Sequence, residues 1–335
     1  MAKQFKVVRV DRTSDLPVNE EAEELAKVNA EVVGAECTSE DEIIEVAKDA
    51  DAILTVAAQI TRRVTEALPK CRVIVRYGVG FDTIDVDAAT DNGILVVNIP
   101  DFCLEEVSNH AITLLLALAK KLALLNNRLR QDCWAECKQI LAPMGSVYGQ
   151  TLGLIGCGNI GRLTAKKAQC FGLEVLGYDP YVSESLAAEC RITLVSLFEL
   201  LGESDFVSIH TPLNEETWHF IGETEFRRMK PSAYFINTAR GAIVDEAALI
   251  KALEEKWIAG AGLDVFEREP VNLSNPLLKM DNVIATPHTA SYCDASFERL
   301  RRRVGQEAAR VLSGRWPRNV VNRGAEPKIK LVKED

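Results

Sequence analysis

Short apolar runs alternate with stretches of helical spacing along most of this chain. In the first hundred residues, Phe5–Val10, Ala52–Val56, Val73–Tyr77 and Ile94–Ile99 are compact apolar runs that predict strands. Between them, residues 19–29, 39–48, 61–68 and 86–92 carry helical spacing and capping residues. Strands separated by helices predict a parallel sheet covered on both faces. Pro100 breaks the pattern, and Leu104–Arg130 predicts one long helix or two abutting ones. A second alternating series starts at Thr151, with strands expected at 151–156, 173–179, 206–210, 233–238, 258–265 and 283–287. Six strands with intervening helices match a doubly wound nucleotide fold. Residues 295–313 again predict a helix, and a charged tail spans 328–335. At 335 residues the chain is too long for one ordinary core, so two α/β domains are expected.

The second series opens with the most informative stretch, Thr151-Leu-Gly-Leu-Ile-Gly156-Cys-Gly158-Asn159-Ile160-Gly161. A strand runs into three glycines, a helical run follows, and a second strand ends in Asp179. In a dinucleotide site Gly156 permits the tight turn, Gly158 lets the backbone approach a pyrophosphate, and Gly161 lets the helix pack on the strand. The helix N-terminus offers unpaired N–H groups to phosphates. Asp179 suits a ribose diol and repels a 2′-phosphate, which favours NAD over NADP. The first series has no such loop, so the first domain is not expected to hold the cofactor.

Charge and composition exclude other classes. A net charge of −10 argues against nucleic-acid binding, and the one dense basic run, Arg299–Arg303, is read as a solvated or interdomain face. The most apolar run, Ala111–Ala119, stops at Lys120-Lys121, short of the roughly 20 residues a membrane span needs. No secretory leader is apparent, and a cytoplasmic protein is expected. Nine scattered cysteines without C-x-x-C pairs read as reduced, mostly buried thiols. Cys133 and Cys137 could share a helix face but lack a second ligand pair, so no metal is expected.

In doubly wound sheets ligands bind beyond the carboxyl ends of strands. Those ends carry His210-Thr211, Asn237-Thr238-Ala239-Arg240-Gly241, Asp264 through Glu269-Pro270, and Thr286-Pro-His288. Arg240, Glu269 and His288 lie on successive strand ends and suit hydride transfer to or from a 2-hydroxy acid. An arginine holds a carboxylate and polarises the neighbouring carbonyl. A histidine exchanges a proton with the carbonyl oxygen, and a glutamate beside it stabilises the imidazolium. Taken singly, each has an ordinary reading: Arg240 a surface salt bridge, Asp264 a helix cap, residues 267–269 a solvated loop. His210 and His219 read as structural, and His110 is ambiguous.

At these residues the chain closely resembles the D-isomer-specific 2-hydroxyacid dehydrogenases. The likeness covers nearly its whole length, through Arg76-Tyr-Gly-Val-Gly-Phe-Asp-Thr-Ile-Asp85, the Gly156 loop, Asn237–Gly241, Gly262–Pro270 and Thr286–His288. The resemblance implies an α/β protein of two doubly wound parallel-sheet domains, a Rossmann NAD-binding domain at 102–292 inserted in a flavodoxin-like substrate domain made of 1–101 plus 293–335. It implies a cleft that opens and closes between them and a homodimer. By the same likeness Arg240 binds substrate, His288 is the acid/base and Glu269 its partner. NAD contacts are assigned to Gly156, Gly158, Asn159, Ile160, Gly161, Asp179, Thr211, Thr238, Ala239 and Asp264. Substrate contacts are assigned to Tyr77, Val79, Gly80 and Arg240, with backbone N–H groups around Val79 and Gly80 holding the carboxylate. Formate dehydrogenases of the superfamily carry glutamine in place of the glutamate partner, so Glu269 favours ketone–alcohol chemistry on a small 2-oxo or 2-hydroxy acid. The branch most resembled includes phosphoglycerate dehydrogenase-like and C-terminal-binding-protein-like chains, and the latter supply an alternative, an NAD(H)-sensing corepressor or protein-binding scaffold.

Overall fold

The computed structural model describes residues 4–11, 19–131 and 134–333. The chain divides into two compact units, Met1–Phe102 with Cys293–Asp335, and Cys103–Tyr292. Cys133, half of the cysteine pair considered above, lies outside the described residues.

The first unit is a five-stranded sheet of β1 (Phe5–Arg9), β2 (Ala30–Gly34), β3 (Ala52–Thr55), β4 (Val73–Arg76) and β5 (Leu95–Val97). All pairings are parallel and the order is β2-β1-β3-β4-β5, the flavodoxin-like winding. Helices on its faces begin at Ser39, Thr61 and Asp85, each of which caps with its side-chain oxygen. Val8, Ile43, Ile53, Ile60, Val64, Ile74 and Ile94 form a closed core, each worth about 1.5–3 kcal/mol of burial. The sequence pattern missed β2, an edge strand paired only with β1 and mostly exposed, so it carries no apolar run.

The long helix Asp294–Leu312 also packs in this unit. Three of its arginines have carboxylate partners within this unit. Arg301 grips Glu20 at 2.9 Å through two nitrogens, Arg302 pairs with Glu23 at 3.2 Å, and Arg303 pairs with Asp101. An acidic first helix, Asn19–Ala26, therefore matches a basic last one.

The second unit is a sheet of β6 (Thr151–Ile155), β7 (Glu174–Tyr178), β8 (Thr193–Leu194), β9 (Phe206–Ile209), β10 (Tyr234–Asn237), β11 (Gly260–Leu263) and β12 (Val283–Ala285). Seven strands are found where six were expected, because two-residue β8 is too short to show a period. The order β12-β11-β10-β9-β6-β7-β8 is that of a Rossmann sheet with an added strand. The winding reverses between β6 and β9, and that switch point fixes where a ligand crevice lies.

Leu104–Arg130 resolves into two helices, Leu104–Ala119 and Leu122–Arg130, bent by 60° at left-handed Lys121 (φ 49°). The first buries Ile112, Leu114, Leu115 and Leu118 against the sheet. Gly262 on β11 permits that approach, since a Cβ there would stand 3.0 Å from Leu114 Cβ. Among the described residues, no single helix is long and apolar enough to cross a membrane.

Candidate active site

The three loop glycines are needed for three different reasons. Gly156 has φ +94°, and a Cβ on it would meet the His210 carbonyl carbon at 2.8 Å. A Cβ on Gly161 would lie 2.2 Å from the Gly156 carbonyl oxygen, so only glycine lets the helix start against the strand. At Gly158 the same test finds nothing within 4 Å, so this position keeps open space rather than close packing. Gly158 is also the N-cap of the helix Asn159–Cys170 and supplies no side-chain cap. The first-turn N–H groups, including those of Asn159 and Ile160, therefore have no intrahelical acceptor.

Asp179, just past the end of β7, is aligned by the chain around it. Its Oδ2 accepts from Cys157 N–H at 2.8 Å, and its Oδ1 from Tyr181 and Val182 N–H at 2.9 and 3.2 Å. Buried Cys157, inside the glycine loop, has its thiol pushed up to about 12 by burial and by Asp179, so it stays protonated and inert. Beyond β9 and β10, the buried hydroxyls of Thr211 and Thr238 have no hydrogen-bond partner among the described residues. An open glycine cradle, an uncapped helix start, a positioned carboxylate and two orphaned hydroxyls at one sheet edge fit a dinucleotide. Ala239 sits in the same turn as Thr238, its N–H bound to Asn237 Oδ1 at 3.0 Å.

The Arg240, Glu269 and His288 cluster is built on neighbouring strand ends. Asn237, 1% exposed at the end of β10, donates to the Arg240 carbonyl at 2.9 Å and so closes the turn that presents Arg240. Gly241 follows, and a Cβ there would fall 1.9 Å from the Phe266 carbonyl carbon. The loop after β10 therefore lies flat on the loop after β11, which brings Arg240 near Glu269. Glu269 Oε1 accepts from Phe266 N–H at 3.0 Å, and Oε2 meets His288 Nδ1 at 2.7 Å. Burial alone pushes the Glu269 carboxyl up. The His288 contact, the Phe266 N–H and the nearby His288 and Arg240 charges outweigh it and hold the group below its ordinary value. Glu269 is thus an anion at neutral pH.

His288 follows β12 in a left-handed backbone conformation (φ 53°). Its N–H donates to the Asp264 carbonyl at 2.7 Å, while Asp264's own carboxylate, fully buried, gathers the loop from the other side. That carboxylate accepts from Thr286 Oγ1 at 2.6 Å, Thr289 N–H at 2.9 Å and Ala290 N–H at 2.8 Å. Asp264 therefore tethers the His288 loop and caps no helix. His110, ambiguous in the sequence, joins this tether through Thr286 Oγ1 at 2.9 Å. The sequence missed the supporting roles of Asn237, Asp264 and His110, because such contacts depend on which loops lie side by side.

His210 and His219 have other partners. His210 bonds Ser208 at 3.0 Å, and burial pushes its imidazole down to about 4. His219 Nε2 lies 3.1 Å from Glu267 Oε1, and its ring stacks on Trp218.

In the first unit, Tyr77, Val79 and Gly80 follow β4. Gly78 takes φ +132°, its carbonyl accepts from Ile99 N–H at 2.9 Å, and the Val79 carbonyl accepts from Asn98 Nδ2 at 2.7 Å. The N–H groups of Val79 and Gly80 have no acceptor among the described residues. Adjacent main-chain N–H groups that lack an acceptor are donors suited to an anion. Tyr77 is 8% exposed, and its hydroxyl is committed to Glu21 Oε1 at 2.6 Å.

A Rossmann sheet with a dinucleotide loop, and a histidine–carboxylate pair beside an arginine at its strand ends, define an NAD-dependent oxidoreductase. Residues 112–290 match the model of the D-isomer specific 2-hydroxyacid dehydrogenase, NAD binding domain. The chain is 44% identical over 282 residues to the glyoxylate reductase of Korarchaeum cryptofilum, covering 84% of this chain and 85% of that one. It is 39% identical to the D-3-phosphoglycerate dehydrogenase of Methanocaldococcus jannaschii, covering 95% of this chain and 60% of that one. The D-lactate dehydrogenase of Aquifex aeolicus, solved with NAD and lactic acid, superposes with a TM-score of 0.81 at 32% identity, over 95% of this chain and 99% of that one. The chain belongs to the D-isomer-specific 2-hydroxyacid dehydrogenase family, and NAD is its cofactor.

Proposed function

We propose that this protein interconverts a small, unphosphorylated 2-oxo acid and its D-2-hydroxy acid, with glyoxylate the first candidate substrate. The observation that carries this reading is the 2.7 Å contact between His288 Nδ1 and Glu269, beside Arg240. Because Nδ1 faces the glutamate, Nε2 is the atom that gives a proton to the carbonyl oxygen during reduction and takes it back during oxidation. The Glu269 carboxylate stabilises the imidazolium that reduction requires and keeps the ring oriented. Arg240 binds the substrate carboxylate and draws electron density from the adjacent carbonyl. Bound NADH supplies the hydride. Asn159 and Ile160 N–H groups receive its phosphates, Thr211 and Thr238 offer hydroxyls, and Asp179 accepts from the adenosine ribose.

In the first unit, the N–H groups of Val79 and Gly80 are suited to a carboxylate. A phosphate would call for additional arginine, and Arg72, just before β4, and Arg76, at its end, are engaged. Arg72 lies over the Phe5 ring and 3.9 Å from Asp51, and Arg76 donates to the Tyr77 carbonyl. D-stereochemistry follows from the family, and a cytoplasmic homodimer completes the proposal.

The test is oxidation of NADH, followed by nicotinamide absorbance, against glyoxylate, hydroxypyruvate, pyruvate, a phosphorylated 2-oxo acid and branched 2-oxo acids, repeated with NADPH. Turnover of a small acid with NADH preferred supports the proposal. Tight NADH binding without turnover of any acid rejects it in favour of an NAD(H)-sensing scaffold.

A further inference from the structure

The helix Asn19–Ala26 buries a carboxyl group at a point where an apolar side chain would give stability more cheaply. Glu21 is fully buried; its Oε1 accepts the Tyr77 hydroxyl at 2.6 Å, and its Oε2 has no partner among the described residues. Burying a polar group so sparsely satisfied is costly. Tyr77 is the residue immediately before the loop that carries the Val79 and Gly80 N–H groups.

Glu21 is itself held in place. A Cβ on Gly305 would come within 2.8 Å of Glu21 Cα, so the helix 294–312 bears directly on the helix backbone at that residue. The flanking Arg301–Glu20 pair, with two 2.9 Å contacts, fixes the helix on one side of it. The remaining tethers of the loop act on main chain. Tyr77 N–H reaches the Thr55 carbonyl at 2.8 Å, Ile99 N–H the Gly78 carbonyl at 2.9 Å, and Asn98 Nδ2 the Val79 carbonyl at 2.7 Å. The Glu21 contact is the hydrogen bond on the Tyr77 side chain, at the point where β4 passes into the loop. Burial, reinforced by Glu21, raises the Tyr77 hydroxyl well above its ordinary value, so it remains a donor across the working pH range.

We propose that Glu21 is a positioning residue for carboxylate recognition: through the Tyr77 hydroxyl it holds the loop 78–80 with its two N–H groups presented. This inference rests on the proposed role of the Val79 and Gly80 N–H groups. Glu21 touches no substrate; it acts by preorganising the groups that do.

The experiment uses the full chain with NADH and glyoxylate. Glu21→Leu and Tyr77→Phe should each raise KM for glyoxylate about tenfold, the size expected when one buried hydrogen bond is lost. Each should change kcat less than about threefold and leave the NADH Kd unaltered. Glu21→Gln keeps an acceptor oxygen and should return KM to within about threefold of the original. The double variant should be no worse than either single one, since both break the same bond. In substrate-free protein, hydrogen exchange at amides 78–80 should quicken in both single variants.

A purely structural role predicts a lower Tm with KM unmoved, and that result overturns the inference. So does a Glu21→Gln variant as impaired in KM as Glu21→Leu. If the unmodified protein reduces glyoxylate but Tyr77→Phe leaves KM unchanged, the inference fails while the proposed function stands. If the unmodified protein binds NADH and turns over no 2-oxo acid, the proposed function fails and takes the inference with it.

Discussion

Adding one methyl group at Gly158 and, separately, at Gly161 should separate cofactor binding from folding within four residues of chain. At Gly161 the new Cβ would stand 2.2 Å from a backbone oxygen, more than an ångström inside ordinary contact. Backbone cannot swing aside as a side chain does, so Gly161→Ala should cost near the top of the overpacking range, about 3 kcal/mol. In a cooperative unit of about 190 residues each kcal/mol moves Tm by roughly 2–4 °C, so a fall of about 6–12 °C is expected. Gly158 is in extended backbone (φ −68°, ψ −163°), and its Cβ would touch nothing within 4 Å. Gly158→Ala should therefore shift the cofactor-free Tm by less than about 2 °C, since its cost lies within about 0.5 kcal/mol. The penalty appears only when a pyrophosphate must approach that backbone. A clash of about 1–3 kcal/mol raises the NADH Kd roughly 5- to 150-fold. Differential scanning fluorimetry without cofactor and NADH fluorescence titration read the two quantities separately. Equal destabilisation by the two substitutions, or an unaltered NADH Kd in Gly158→Ala, would refute the reasoning.

Three further outcomes test the rest of the site. Glu269→Gln removes the anion that faces His288 Nδ1 and orients its ring, so kcat/KM for reduction should fall at least about tenfold; an unchanged kcat/KM would detach Glu269 from His288. Asp179→Asn keeps one acceptor for the Cys157 N–H while removing the charge, and should narrow the NADH-over-NADPH preference at least about tenfold; a preserved ratio of kcat/KM values would end the ribose assignment. His210, pushed down to about 4 by burial, binds a proton more readily unfolded than folded. Its contribution is therefore complete above pH 6.5 and is lost as pH falls toward 4, by roughly 3 kcal/mol at most. Urea unfolding of His210→Asn should show a shallower acid decline than the unmodified protein, and parallel curves would contradict the burial argument.

Much of this protein is legible in its sequence because the relevant physics is local. Two alternating series of apolar runs specify two parallel sheets, since a strand buried on both faces must be apolar throughout. The Gly156–Gly161 spacing specifies a turn and a helix start whatever surrounds them, and Arg240, Glu269 and His288 stand out as chemical groups at strand ends. Edge strand β2 and two-residue β8 escape notice because neither carries a long enough apolar pattern.

What only the tertiary structure decides is which strand ends are neighbours and which groups meet there. Strand order sets β10, β11 and β12 side by side, and Gly241 against Phe266 then closes the distance that lets Arg240 influence Glu269. Asp264 is assigned to the cofactor by resemblance, with a helix cap as its ordinary reading, and the fold adds a tether of the His288 loop that neither reading held, because its partners lie 22 to 26 residues further along the chain. Tyr77 and Glu21 are 56 residues apart and share no motif, and their hydrogen bond exists only because the fold brings the two side chains together. Residue type and short spacing determine what a segment can become; contacts across the chain, which no local pattern encodes, determine what its side chains do.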